Sequence, residues 1–179
     1  MSKLGKKIIS VPKDSKVAIQ GNSVTVTGPK GTEKILFNEK VFSSKVNDKN
    51  EFMISPLKKD KSSSAMWGTY RSLINNAIFG VTKGHEKNLE LSGVGFKVAQ
   101  QGDELKLKLG FSHEAIYKVP KGINIKIEKQ TKINIAGTDK SLVSKVASEI
   151  KSLKPVEPYK AKGIKEKDQY IIRKEGKKK

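Results

Sequence analysis

The sequence predicts an α+β protein of two similar domains, each an antiparallel sheet with one main helix packed on it, followed by a basic C-terminal tail. Three observations predict it. Between residues 16 and 54 apolar residues alternate with polar ones in short runs, and a stripe of helical spacing then covers 66–78. The same order, strands and then one helix, recurs over 87–153, which points to an internal duplication with a period near that of a small domain. After Leu153 the composition changes: Pro155 and Pro158 exclude helix around Glu157, and ten basic residues face four acidic ones over 154–179.

Taken in order, residues 1–15 read as an irregular basic arm ending near Pro12. Val17 and Ile19 alternate with polar neighbours, Gln20-Gly21-Asn22 reads as a turn, and Val24–Thr27 is a second strand closed by Gly28-Pro-Lys-Gly31. Thr32–Phe37 is a third. Phe42–Asn47 and Glu51–Ile54 flank a turn at Asp48-Lys-Asn50. Three serines in the polar connection 56–64 are candidate caps for the helix that follows. Met66, Trp67, Tyr70, Leu73, Ile74, Ala77 and Ile78 form its apolar stripe. The stripe reads as core; Trp67 as a base-stacking ring is the competing reading.

Residues 81–87 read as a hinge, and Leu89–Leu91 opens the second module. Phe96 and Val98, then Leu105, Leu107 and Leu109, then Ala115–Val119, Ile123–Ile127 and Lys132–Ala136 alternate as strands, with turns at Gln101-Gly-Asp103 and Lys129-Gln130. Gly137-Thr-Asp139 starts a helix whose face is Leu142, Val143, Val146, Ile150 and Leu153. The domains are therefore 1–82, with its arm 1–15, then 83–153, then a tail 154–179.

The net charge of +19 on 179 residues asks for a polyanionic partner. Without cysteine there is no disulfide frame or thiolate chemistry, and two histidines leave no ordinary zinc ligand set. No metal and no cofactor is predicted. No apolar run reaches the roughly 20 residues of a membrane helix, and the N-terminal stretch has no signal-peptide core, so a cytoplasmic protein is expected. A membrane-surface protein or another basic RNA-binding protein is the alternative reading. No strongly amphipathic basic helix supports the first.

Motifs that resemble catalytic equipment fail on geometry. Gly93-Val-Gly95 lacks the third glycine and the helix of a dinucleotide site, and Gly28-Pro-Lys-Gly31 lacks the ending of a phosphate loop. In Ser112-His-Glu114, adjacent strand residues point to opposite faces, so a relay cannot form. His85 beside Glu86 reads as a surface residue. No catalytic residue is predicted, and the chain reads as a non-enzyme.

From composition the tail reads either as a solvated, disordered basic tail or as a segment suited to RNA. Lysines meet phosphates, and a ring can stack or wedge. Lys154, Pro158, Tyr159, Lys160, Lys162, Gly163, Lys165, Arg173, Lys174 and Lys177 are the candidate contacts. The glycine reads as permission for close backbone approach to the polyanion.

Five stretches in order carry a resemblance: Gly28-Pro-Lys-Gly31; Gly68-Thr-Tyr-Arg-Ser-Leu-Ile-Asn-Asn76 with Gly80-Val-Thr-Lys-Gly84; Ser92-Gly-Val-Gly-Phe-Lys97; Leu105-Lys-Leu-Lys-Leu-Gly-Phe-Ser-His113; and Glu157-Pro-Tyr-Lys-Ala-Lys-Gly-Ile164. The chain resembles the large-subunit ribosomal protein six family over nearly its whole length. The resemblance implies two duplicated α+β domains and no catalytic activity. It also implies binding to large-subunit rRNA through the second domain and tail, with a place near the stalk base, the sarcin–ricin region and the subunit interface. Implied partners are that rRNA and neighbouring large-subunit proteins, with no membrane and no homo-oligomer.

Carried over residue by residue, the resemblance assigns RNA contact to Tyr159, Lys160, Lys162 and Gly163, with Lys165 beyond. Lys97 and Gly95 are an additional candidate contact. The chain departs from the family pattern at Val156 for proline, Ala161 for glycine, Lys165 for arginine and Glu166 for an aromatic. Lys165 keeps the charge but loses the bidentate fork. Glu166 is expected to face solvent or Lys167 rather than phosphate.

Overall fold

The computed structural model describes residues 5–38, 41–47, 50–57 and 60–176. Two units follow from the chain's contacts: Met1–His85 with Thr138–Lys140, and Glu86–Gly137 with Ser141–Lys179. Each carries one long helix, as the hydrophobic spacing predicts.

In the first unit, β1 (Ile9–Ser10), β2 (Lys16–Gln20), β3 (Ser23–Gly28), β4 (Gly31–Leu36), β5 (Phe42–Asn47) and β6 (Glu51–Pro56) precede α1 (Lys61–Thr82). They divide into two antiparallel sheets, β2-β3-β4 and β1-β6-β5. Alternation gives each strand a buried face but does not say which strands pair, so the partition into two sheets is not contained in the pattern. Helix α1 packs on β3, β4 and β6. Its side chains Trp67, Ile74, Ala77, Ile78 and Val81 close the core with Val24, Val26, Phe42 and Phe52.

Several local expectations change. Residues 9–10 are not part of an irregular arm: Ile9, 2% exposed, pairs with Phe52, because burying its side chain extends the sheet. The serines do not cap α1. Asp60 occupies the cap position without a side-chain hydrogen bond, and Ser62–Ser64 lie inside the first turn. Met66 and Leu73, at the edges of the predicted stripe, remain exposed. Asp48 and Lys49 of the predicted turn lie outside the described residues, while Asn50 has the positive φ of 56° that such a turn uses. Gly28-Pro-Lys-Gly31 is a hairpin turn, as read, with Gly28 opposite Gly31. A Cβ on Gly28 would lie 2.8 Å from the Val81 carbonyl oxygen, so the turn also seats on the end of α1. The helix stops where Gly84 takes φ +83° and its N–H returns to Phe79 O at 3.2 Å.

The second unit runs through β7 (His85–Ser92), β8 (Lys97–Gln101), β9 (Glu104–Lys108), β10 (Ala115–Lys118), β11 (Ile123–Glu128), β12 (Lys132–Gly137), α2 (Lys140–Leu153) and β13 (Gly163–Glu166). Its sheets are β10-β9-β8 and β11-β12-β7-β13. Leu89, Leu105, Leu107, Ile133, Ile135 and Ile150 are among the fully buried side chains between them and α2. Lys129 and Gln130 both adopt positive φ, 51° and 56°, the geometry a tight hairpin needs. Gln130 O accepts from Val98 N at 2.9 Å and Thr131 O from Leu91 N at 2.8 Å, which holds two long side chains in a conformation usually left to Asn-Gly.

Trp67 resolves in favour of the core reading. It is 7% exposed, and its indole N–H donates to Ile54 O at 2.6 Å. Trp67→Phe strands a buried carbonyl and is expected to cost about 1–3 kcal/mol in urea unfolding; an unchanged midpoint would mean that water satisfies that carbonyl.

Candidate nucleic-acid interface

The segment after α2 folds back on itself. Ile164 N donates to Lys154 O at 3.0 Å, Glu157 N to Lys162 O at 2.8 Å, and Ala161 N to Glu157 O at 3.0 Å. Pro155 and Pro158 lack the N–H groups a helix would need, so the chain turns instead. Ile164, fully buried, then pins the returning arm at the edge of the sheet, where β13 pairs antiparallel with β7 and sets Ile164 opposite Leu91. The result is a closed loop with Pro158, Tyr159 and Lys160 exposed at its tip and Lys162 exposed on its return. Tyr159 is 53% exposed. Further on, Lys174 N donates to Pro158 O at 3.0 Å, drawing Arg173 and Lys174, both exposed, back to the tip.

Gly163 works inward. It is buried, with φ +143°, and a Cβ there would stand 2.7 Å from both Pro155 O and Val156 Cα. Its missing side chain lets the two arms of the loop approach each other, not a polyanion. Ala161, buried at the bend, has φ +55°, a left-handed conformation that costs an L-residue about 1–2 kcal/mol. The three backbone bonds around it hold it there.

The charges of β13 are largely matched from within the unit. Lys165 Nζ lies 3.6 Å from a Glu90 carboxylate oxygen, and Lys132 reaches the same carboxylate at 3.9 Å. Glu166 does not face Lys167. It accepts from Lys87 on β7 at 2.8 Å and from Lys151 on α2 at 3.0 Å. The Lys87 hydrogen bond, then that of Lys151, holds its carboxyl below the ordinary glutamate value, against an opposing contribution from burial. Cross-strand register explains the pairing, since Lys165 stands opposite Glu90 on β7.

Of the remaining candidates, Lys154 is half-buried and holds its Nζ 4.3 Å from the centroid of the Phe111 ring. Lys97 and Gly95 are exposed at the turn between β7 and β8, and Gly95 needs its φ of +78° but has open space around it. Lys177 lies outside the described residues. The cleft of about 470 Å³ beside the loop brings Lys154 and Lys162 together with Phe96 and Phe111. Sequence reasoning missed Phe111 as a neighbour of the tail and Glu90 as a counter-ion. Both are distant in sequence from the residues they meet.

Contrary to the sequence-based expectation, Ser112-His-Glu114 is not part of a strand but lies in the irregular connection between β9 and β10. The His113 ring stacks near Phe111, with centroids 6.1 Å apart, and Glu114 pairs with Lys108 at 3.2 Å. His85 Nε2 sits 3.0 Å from Asn76 O. No helix among the described residues is long and apolar enough to cross a membrane.

Comparison with known proteins gives a consistent picture. A family model described as Ribosomal protein L6 matches residues 11–84 and 92–167, one repeat in each half. The chain is 47% identical to the large ribosomal subunit protein uL6 of a Nitratiruptor species, over 99% of this chain and 98% of that one. It is 46% identical to the protein of that name from Bartonella henselae over the full length of both, and 42% identical to that of a Rhodopseudomonas palustris strain, again over the full length of both.

The loop geometry predicts substitutions of opposite sign. Gly163→Ala should destabilise the second unit by roughly 1–3 kcal/mol, whereas Ala161→Gly should stabilise it by about 0.5–1 kcal/mol, the relieved strain less the added chain entropy. Chemical denaturation reads both, and equal signs would contradict the backbone conformations. For Glu166 the folded-state value lies below the unfolded one. Its ion pairs therefore contribute fully above the ordinary glutamate value, and the contribution is lost as pH falls through the depressed one. The stability gap between the native protein and Glu166→Gln should shrink on acidification from about pH 6 to about pH 3; a gap independent of pH would show that the pairs are screened.

Proposed function

The chain belongs to the ribosomal protein L6 family, and we propose that its closed loop at 154–164 and the basic segment behind it grip folded large-subunit rRNA. As a member of that family it is a structural protein of the large ribosomal subunit, not an enzyme, and it works in the cytoplasm. Association with rRNA and with other ribosomal proteins follows from that membership. The finer placement, near the stalk base, the sarcin–ricin region and the subunit interface, rests on the resemblance carried by Glu157–Ile164 and the other stretches quoted above. On this reading the protein acts as a single copy among neighbouring large-subunit proteins, fixes RNA tertiary structure, and needs no cofactor.

The observation that carries the proposal is an internally hydrogen-bonded loop that leaves Tyr159, Lys160 and Lys162 exposed. A preorganised tip binds without first losing chain entropy. Lysine ammonium groups meet phosphates as point charges, and an exposed phenol ring lies against sugar or base. Arg173 and Lys174, tied back to Pro158, add charge beside the tip. Lys165 contributes less, because Glu90 already faces its ammonium. Lys97, Gly95 and Lys177 stand as secondary contacts.

Salt-dependent binding to a large-subunit rRNA fragment tests the assignment. Lys160→Ala and Lys162→Ala should each weaken binding and lower the slope of log K against log salt by about 0.7–0.9. Lys165→Ala should change the slope by less. Slopes equal to that of the native protein for both tip variants would remove the loop from the interface.

A further inference from the structure

Outside the loop tip, one feature is left without a role: an exposed phenylalanine in a basic cleft. Phe111 lies between β9 and β10 and is 45% exposed. Leu109, buried, anchors one side of that connection. Phe111 walls a cleft of about 470 Å³, whose other lining includes Phe96, Leu109, Lys154 and Lys162. That volume is within the usual range of small-ligand clefts, about 300–1,000 Å³. Glu157 is the one carboxylate among the lining residues, against two ammonium groups. An apolar wall with cationic neighbours matches one ligand chemistry: a flat aromatic ring joined to a phosphate.

We propose that this cleft takes a single unstacked nucleotide of the bound RNA, its base against Phe111 and its phosphate between Lys154 and Lys162. The proposal rests on the RNA-binding reading above and names a second point of contact for it. In the free protein the Lys154 ammonium lies 4.3 Å from the ring centroid and fills the position of the incoming base. With Phe111 45% exposed, water screens the half-buried ammonium, and the contact lies toward the weak end for cation–π pairs, a factor of about two to five in an equilibrium constant. Stacking of a base on an aromatic side chain is worth about five- to 150-fold. The exchange therefore runs toward the nucleotide. The base takes the ring face, and the displaced ammonium turns to the phosphate that arrives with it. The His113 ring lies nearly parallel to that of Phe111, with centroids 6.1 Å apart. Recognition of this kind tolerates any base, because each has a π face.

The test uses the full chain and a large-subunit rRNA fragment. Phe111→Leu, which keeps an apolar side chain and removes the π face, should weaken binding about five- to 150-fold with no change in salt slope. Lys154→Gln should lower the slope by about 0.7–0.9. Phe111→Trp should retain affinity, and its added indole should be quenched on RNA binding against the background of buried Trp67. Affinity of Phe111→Leu equal to that of the native chain, or no fluorescence change in Phe111→Trp at saturation, overturns the proposal. If the Lys160 variant, which lies outside the cleft lining, still loses binding in that case, only the nucleotide cleft is lost. If the native chain does not bind the fragment at all, the RNA-binding reading itself fails.

Discussion

The burial of Ile164 is the interaction on which the C-terminal half of the structure depends. Its side chain has no solvent exposure, and it lies opposite Leu91 in the pairing of β13 with β7. Burying one such aliphatic side chain contributes about 1.5–3 kcal/mol. That is enough to fix a short strand which its own four residues could not hold. Once β13 is fixed, the chain from Lys154 must return within ten residues, and two prolines, a left-handed alanine and a glycine without room for a Cβ make the return. A segment that composition describes as a lysine-rich tail thus becomes a stiff projection with a defined tip.

Positive charge is unevenly available. The net charge of +19 suggests that any lysine could meet a phosphate. Around β13, however, Lys87 and Lys151 are engaged by Glu166, and Lys132 and Lys165 share Glu90. These pairs are partly exposed and individually weak. Their effect is to offset half of the positive charge on the sheet surface beside the loop, so that the exposed lysines without a carboxylate at hand there are Lys160 and Lys162 at the loop. Glu166, a departure from the family pattern that reads in the sequence as an awkward neighbour for phosphate, is part of this arrangement.

The elements were largely legible in the sequence. Period-two runs marked the strands, the 3.6-residue stripes marked both helices, and their repetition marked the duplication. Trp67 read correctly as core because its neighbours in the stripe were apolar. What could not be read depends on partners remote in the chain. Ile9–Ser10 becomes a strand only because β6 offers it an edge. Glu90 gives no sign in the sequence that it faces Lys165, and Gly163 could not reveal that the backbone it approaches is its own. The sequence offered candidate residues for the site but not its shape, since the shape is set by four backbone hydrogen bonds and one buried isoleucine.

The position of β13 in the chain has a further consequence. In the sheet order β11-β12-β7-β13, β7 is an inner strand only because the final strand covers it. During vectorial translation β7 emerges long before residues 163–166, and until they arrive its outer hydrogen-bonding groups are bare. An uncovered edge of this kind invites pairing with other nascent chains. The late-arriving strand is thus also a seal, and a chain interrupted before it would be exposed to aggregation as well as deprived of its loop.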